Sequence, residues 1–236
     1  QFLEIITAEL AKRLETHDSP RARYYYLNLK LQLANGTEDY KMSKDVLQEM
    51  IVLIEQHKGL KTKNRLGIPY LRLATIELYQ GNYDTAFEAA EEALYIFPPK
   101  KYNYLQAGIC KLYACFYSNR LEEAQATLQQ LHYFIQTAPR RHPASVLKSL
   151  DWLTYFKSCL AFLNEDYREA LHLLGDIKNI FSDKKGWNID LRIYEILIMV
   201  EMELYDLVTA RLEPLRTRLT RYEVEDRTVQ ISRQLL

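Results

Sequence analysis

The sequence is poor in the residues that interrupt helices and in those that carry chemistry. It has seven glycines and seven prolines in 236 residues. So few of either leaves long uninterrupted stretches and cannot supply a glycine-rich phosphate cradle. There are three cysteines, an odd number, at Cys110, Cys115 and Cys159. Cys110 and Cys115 lie five apart on one expected helix, so their side chains diverge. All three are expected as reduced, buried or half-buried thiols, outside any disulfide or metal site. No run of 18 apolar residues occurs, which excludes an ordinary membrane helix. The start has no basic stretch leading into an apolar one, so no secretion signal is read. Neither charge sign dominates, with 31 Lys plus Arg against 31 Asp plus Glu. A general nucleic-acid binder needs clustered positive charge, so that class is set aside. The five histidines never fall at i, i+4, and no HExxH, G-x-S-x-G, P-loop or G-x-G-x-x-G is present. The expectation is therefore no catalytic residue, no metal, no cofactor and no enzyme activity.

What the chain does have is tyrosine, 18 in all, and an apolar rhythm of three and four residues almost throughout. That rhythm predicts helices, and no stretch alternates as a strand would. The expected helices are 2–17, 20–35, 39–57, 63–80, 83–97, 101–117, 121–137, 144–163, 167–182, 187–203, 206–221 and 224–235. Breaks fall at Ser19-Pro20, Asn35-Gly36, Gly81-Asn82, Phe97-Pro98-Pro99, 138–143 and 182–186. Pro214 lies inside an expected helix and predicts a kink or a shifted boundary.

Four copies of one spacing run through the chain. They are Tyr83-Ala86-Ala90-Ala93, Leu121-Ala124-Leu128-Leu131, Tyr167-Ala170-Leu174-Ile177 and Tyr205-Val208-Leu212-Leu215. Their starts are 38, 46 and 38 residues apart. An earlier unit from Arg23 to Glu55 has Tyr40, Ser43, Leu47 and Met50 in the same frame. A small residue recurs because helices approach closely only where side chains are small. One helix pair cannot bury its own apolar face, so a period of this length implies stacked pairs.

The stretch from Tyr70 to Pro98 resembles a tetratricopeptide repeat. Leu73 and Ala74 stand at that family's Leu-Gly positions, Gly81 and Tyr83 make the turn, Ala86, Ala90 and Ala93 run down the second helix, and Pro98 closes the unit. Glu77 departs from the family's usual Tyr. In the later copies Asn119, Glu165 and Glu203 replace the turn glycine, and Leu128, Leu174 and Leu212 replace a frequent Phe. The resemblance implies an all-α, right-handed α-α superhelix: a TPR-like solenoid of antiparallel helix pairs spanning 1–236 as a single repeat domain, expected to be a piece of a longer protein. It implies a non-catalytic protein-interaction scaffold with a protein or peptide partner, expected in the cytoplasm, without nucleic acid or membrane. The alternative is a regulatory sensor module controlling an effector domain outside this chain.

In that family the first helix of each pair lines the concave groove. The frame puts Leu71, Thr75 and Leu78 there, then Ile109, Tyr113, Phe116 and Tyr117, then Trp152, Tyr155, Cys159 and Phe162. Tyr113, Phe116, Tyr117, Trp152 and Tyr155 are the expected partner-binding residues, rigid anchors for an apolar peptide or an amphipathic helix. Two other readings stand beside the groove: these residues are core, or other parts of the parent or a second copy cover them. The strip lacks the Lys/Asn set with which the family clamps a terminal carboxylate. Arg211, Arg216, Arg218 and Arg221 are expected on a solvated face, paired with Glu213, Glu223 and Glu225.

Overall fold

Five turns share one backbone geometry. A computed structural model describes residues 2–14, 19–99, 101–137, 143–177 and 187–221. Among these, Glu38, Gly81, Asn119, Glu165 and Glu203 have positive φ, between 54° and 76°. Each follows a helix in the same way. The Gly81 N–H donates to the Leu78 carbonyl and the Asn82 N–H to the Glu77 carbonyl, and the same pair of bonds recurs at the other four turns. This is the Schellman arrangement, which satisfies carbonyls left open at a helix end. The residue two positions after each left-handed one opens the next helix: Tyr40, Tyr83, Leu121, Tyr167 and Tyr205.

Eleven helices run through the described residues: α1 (Phe2–Leu14), α2 (Pro20–Gly36), α3 (Tyr40–Gln56), α4 (Lys63–Tyr79), α5 (Tyr83–Ile96), α6 (Tyr102–Tyr117), α7 (Leu121–Thr137), α8 (Pro143–Leu163), α9 (Tyr167–Gly175), α10 (Trp187–Glu201) and α11 (Tyr205–Arg221). Their starts follow local chemistry. Ser19 accepts from the Ala22 N–H with Pro20 in the first turn, while Asp39, Thr62 and Asp166 cap α3, α4 and α9 in the same way. The expected helix 224–235 and the loops 138–142 and 182–186 lie outside the described residues.

Three expectations are corrected. Gly36 is the last residue of α2, but it does not take the left-handed conformation expected there; Glu38 does, two residues later. Thr37 holds that end, its hydroxyl donating toward the Leu33 and Ala34 carbonyls at 3.2 Å each. Helix α9 stops at Gly175 instead of 182, so Ile177 lies past the helix yet still rests on the same core. Of the two outcomes expected at Pro214, the shifted boundary is not found, because α11 runs through it. Both Pro214 and Ala210, whose carbonyl loses its partner, are exposed, so water can take that bond.

The chain divides into two compact units, the first ending at Thr127 and the second starting at Leu128. In the first, α2 packs on α3, α3 on α4, α4 on α5, and α6 on both α4 and α5. Leu27, Leu31, Leu47, Met50 and Ile54 centre its first core. In the second, α8 packs on α9, α9 on α10 and α10 on α11. Ala170, Leu174 and Ile198 form one core there and Ile189, Ile196 and Leu215 another.

The repeated small position is closed in four of five copies: Ser43 is 1% exposed and Ala86, Ala124 and Ala170 are 0% exposed. Its N–H always donates to the carbonyl four residues back, just after the turn. Seven residues before each left-handed turn residue, the first helix is also closed, at Leu31, Ala74, Leu112, Ser158 and Ile196. Ser158 breaks the apolar series, and its hydroxyl is satisfied by donating to the Ala170 carbonyl at 2.8 Å.

Candidate functional site

The left-handed turn residue gives a common origin for comparing first helices. At three of the five turns the residue two positions before it is large and exposed: Tyr79, Tyr117 and Leu163, by 76%, 63% and 48%; Gly36 and Glu201 stand there at the other two. Large apolar side chains left in water at a repeated register are the feature to explain.

In the first unit, Tyr117 stacks on Tyr83 with ring centres 4.8 Å apart and planes 12° apart. Tyr113 and Phe116 are half-buried, and Ile109, placed on the same strip by sequence, is core at 9% exposure. Thr75 sits where α4 meets α6, its hydroxyl 3.7 Å from the Cys110 thiol. Thr75 also lines a pocket of about 380 Å³ with Leu31 and Asn35 of α2 and Arg72, Ile76 and Tyr79 of α4. The open face of α4 is thus Arg72, Thr75 and Tyr79, turned by about one residue from the expected Leu71, Thr75 and Leu78. Sequence reading missed Arg72 and Tyr79. Their three-and-four spacing with Thr75 was visible, but a polar and an apolar residue on one line give no hydrophobic signal.

A second feature of this unit was not expected from sequence. The Phe87 ring, 7% exposed, carries the Lys111 ammonium at 4.7 Å and the Arg120 guanidinium at 4.4 Å from its centre. Each cation has its own carboxylate: Lys111 binds Glu91 at 2.8 Å and Arg120 binds Asp84 at 2.7 Å. Glu91, with more than half of its side chain exposed, is one arm of this arrangement.

In the second unit, α8 presents Trp152, Tyr155, Cys159 and Phe162, all half-buried. Trp152 meets Tyr155 edge-on and lies over Phe156, each at 6.1 Å. Tyr194 of α10 approaches both Tyr155 at 6.0 Å and Phe162 at 5.7 Å, and Tyr167 closes on Phe162 at 5.5 Å. The strip is thus partly roofed by Tyr194 at its later end, while Trp152 lies at the other. Arg211 pairs with Glu195 of α10 at 3.3 Å, not with Glu213. Glu223 and Glu225 lie outside the described residues.

Burial pushes the Cys115 and Cys159 thiols up to about 11 from 9.0, and raises Cys110 as well. Thiols so held are protonated at neutral pH and poor nucleophiles. Burial likewise raises Tyr194. His132 is shifted down, first by burial and then by the Lys157 ammonium. Among the described residues no group of three His, Cys, Asp or Glu side chains could hold a metal ion, and no helix is long and apolar enough to cross a membrane.

No family model matches the chain, and no curated protein matches it. Solved structures do. BtubC (BKLC) from P. vanneervenii is similar over 96% of each chain, with a TM-score of 0.68 and 14% identity. The nearly identical TPR-like repeats of a Podosopora anserina protein assigned as a kinesin light chain align with 87% of this chain and 99% of theirs, with a TM-score of 0.58 and 16% identity. A point variant of the same protein aligns over 85% and 94%, with a TM-score of 0.59. The fold is a TPR-like helical repeat, all-α as expected from the sequence.

Proposed function

We propose that this chain is a non-catalytic protein-interaction scaffold whose first helices grip an apolar peptide or an amphipathic helix. The observation that carries the reading is the repeated exposure of Tyr79, Tyr117 and Leu163 at one register of the TPR-like fold. Tyrosine suits this task because it offers a large rigid face at low entropic cost and keeps its hydroxyl wet. Tyr113, Phe116 and Tyr117 are the proposed contacts of the first unit, and Trp152 and Tyr155 those of the second. The pocket beside Thr75 is a socket for one side chain of the partner. Binding of this kind needs shape and apolar complementarity only.

The test is capture with the native chain and with a Tyr79→Ala, Tyr117→Ala double variant, read by quantitative mass spectrometry. Proteins held through the strip drop at least tenfold in the variant, while its melting temperature stays within a few degrees because both side chains are largely exposed. Equal capture by the two chains contradicts the reading.

A further inference from the structure

Between the second helices α9 and α11, floored by α10, lies a pocket that the first-helix strip does not use. Its volume is about 310 Å³, and it is lined by Leu171, Leu174, Gly175, Leu191, Arg192, Glu195 and Arg211. This is at the small end of the roughly 300–1,000 Å³ of ligand pockets, room for one or two side chains and too little for a nucleotide cofactor. Its charges do not balance. Arg211 reaches Glu195 at 3.3 Å, with about half of the Arg211 side chain exposed. The Arg192 Nε is buried and has no hydrogen-bond partner among the described residues. A guanidinium carries five N–H donors and one carboxylate has about four acceptor positions, so Glu195 alone cannot satisfy all the donors of two arginines. The lining thus carries two cations to one carboxylate, with the Arg192 Nε–H unserved, beside an apolar floor of Leu171, Leu174 and Leu191.

We infer that this pocket binds a peptide segment carrying a carboxylate side chain next to a branched apolar residue. The carboxylate lies between Arg192 and Arg211, where charge-assisted bonds are strong and the fork geometry suits two oxygens. The neighbouring apolar side chain rests on the leucines. A bare anion would leave that floor wet, and an apolar peptide would leave the guanidinium donors unserved. This inference is independent of the first-helix strip, which uses other helices and other chemistry.

The experiment reads the arginine side-chain Nε–H resonances of the full chain by NMR during titration with three probes: acetyl-Leu-Glu amide, acetyl-Leu-Gln amide and inorganic phosphate. Acetyl-Leu-Glu amide shifts the Arg192 and Arg211 signals saturably, with a dissociation constant of about 1 mM or tighter. The glutamine probe and phosphate each bind at least fivefold more weakly. Gly175→Met plugs the pocket and abolishes the shifts; a Cβ there meets nothing within 4 Å, so the fold tolerates it. Arg211→Gln, on the exposed side, weakens the glutamate probe at least fivefold and serves as the second variant. Phosphate binding as well as the glutamate peptide, shifts that survive Gly175→Met, or no response of Arg192 to any probe overturns the inference.

Discussion

The rings of Tyr83 and Tyr117 lie stacked, 4.8 Å between centres and 12° between planes. Tyr83 opens α5, the second helix of its pair, and Tyr117 ends α6, the first helix of the next pair. The contact therefore joins consecutive pairs at their turn-side edge, and it holds an exposed Tyr117 in one orientation.

A stacked pair of this kind contributes about 0.5–1.5 kcal/mol beyond its buried area. A double-mutant cycle of Tyr83→Ala and Tyr117→Ala, measured by urea unfolding, gives a coupling in that range. Additive losses would show that the rings do not meet in solution.

The turns give a second prediction. Glu165 and Glu203 hold φ near 63° and 59°, a conformation that costs a residue with a side chain about 1–2 kcal/mol and glycine little. Glu165→Gly and Glu203→Gly each raise the unfolding free energy by about 1 kcal/mol, after the entropy that glycine adds to the unfolded chain. Gly81→Ala, at φ 76°, lowers it by about the same amount. Chemical denaturation followed by circular dichroism checks all three signs.

These turns also show what a sequence makes legible. The small residue three positions into each second helix recurs because the helix crossing demands it, so Ala86, Ala124 and Ala170 marked the repeats unaided. From its own residue type the turn was legible only at Gly81; at Asn119, Glu165 and Glu203 it was the repeat frame that marked the turn-glycine position, and Glu38 was not marked at all. At Glu38 and Glu165 the surrounding packing overrides propensity, and nothing in a glutamate announces a left-handed backbone. Gly36 was misread for the converse reason, since a residue able to turn need not do so. Cross-helix relations such as Phe87 between Lys111 and Arg120, or Arg211 on Glu195, depend on which helix faces meet, and spacing within one helix carries no such information. In α4 the expected Leu71 and Leu78 are half-buried, while Arg72 and Tyr79 are the exposed residues on either side of Thr75.

Gly67 supplies a third prediction. A Cβ added there would come within 2.6 Å of the Phe97 ring, which is 2% exposed. The ring is locked in the core and cannot give way freely, so Gly67→Ala destabilises the chain by about 1–3 kcal/mol despite alanine's better helix propensity. Gly67→Ala combined with Phe97→Leu recovers part of the loss. A stabilised Gly67→Ala chain in thermal unfolding would place the Phe97 ring elsewhere.

The buried thiols predict a pH dependence. Cys115 and Cys159 titrate near 11 in the folded chain against 9.0 ordinarily, because burial disfavours the thiolate. The folded chain keeps these protons after the unfolded chain has lost them. Their contribution is therefore complete below pH 9 and is lost as pH rises toward 11. The urea midpoint falls over that window, and it falls less in a chain carrying Cys115→Ala and Cys159→Ala. At pH 8 the native thiols react with iodoacetamide far more slowly than in urea.

The most direct measurement is a binding isotherm for a partner captured by the native chain, repeated with Tyr117→Ala and with Trp152→Ala. An interaction scaffold that works through its first helices loses at least tenfold in affinity with each substitution, about 1.4 kcal/mol, while far-ultraviolet circular dichroism stays unchanged. Native affinity in both variants, with the fold intact, would contradict the account.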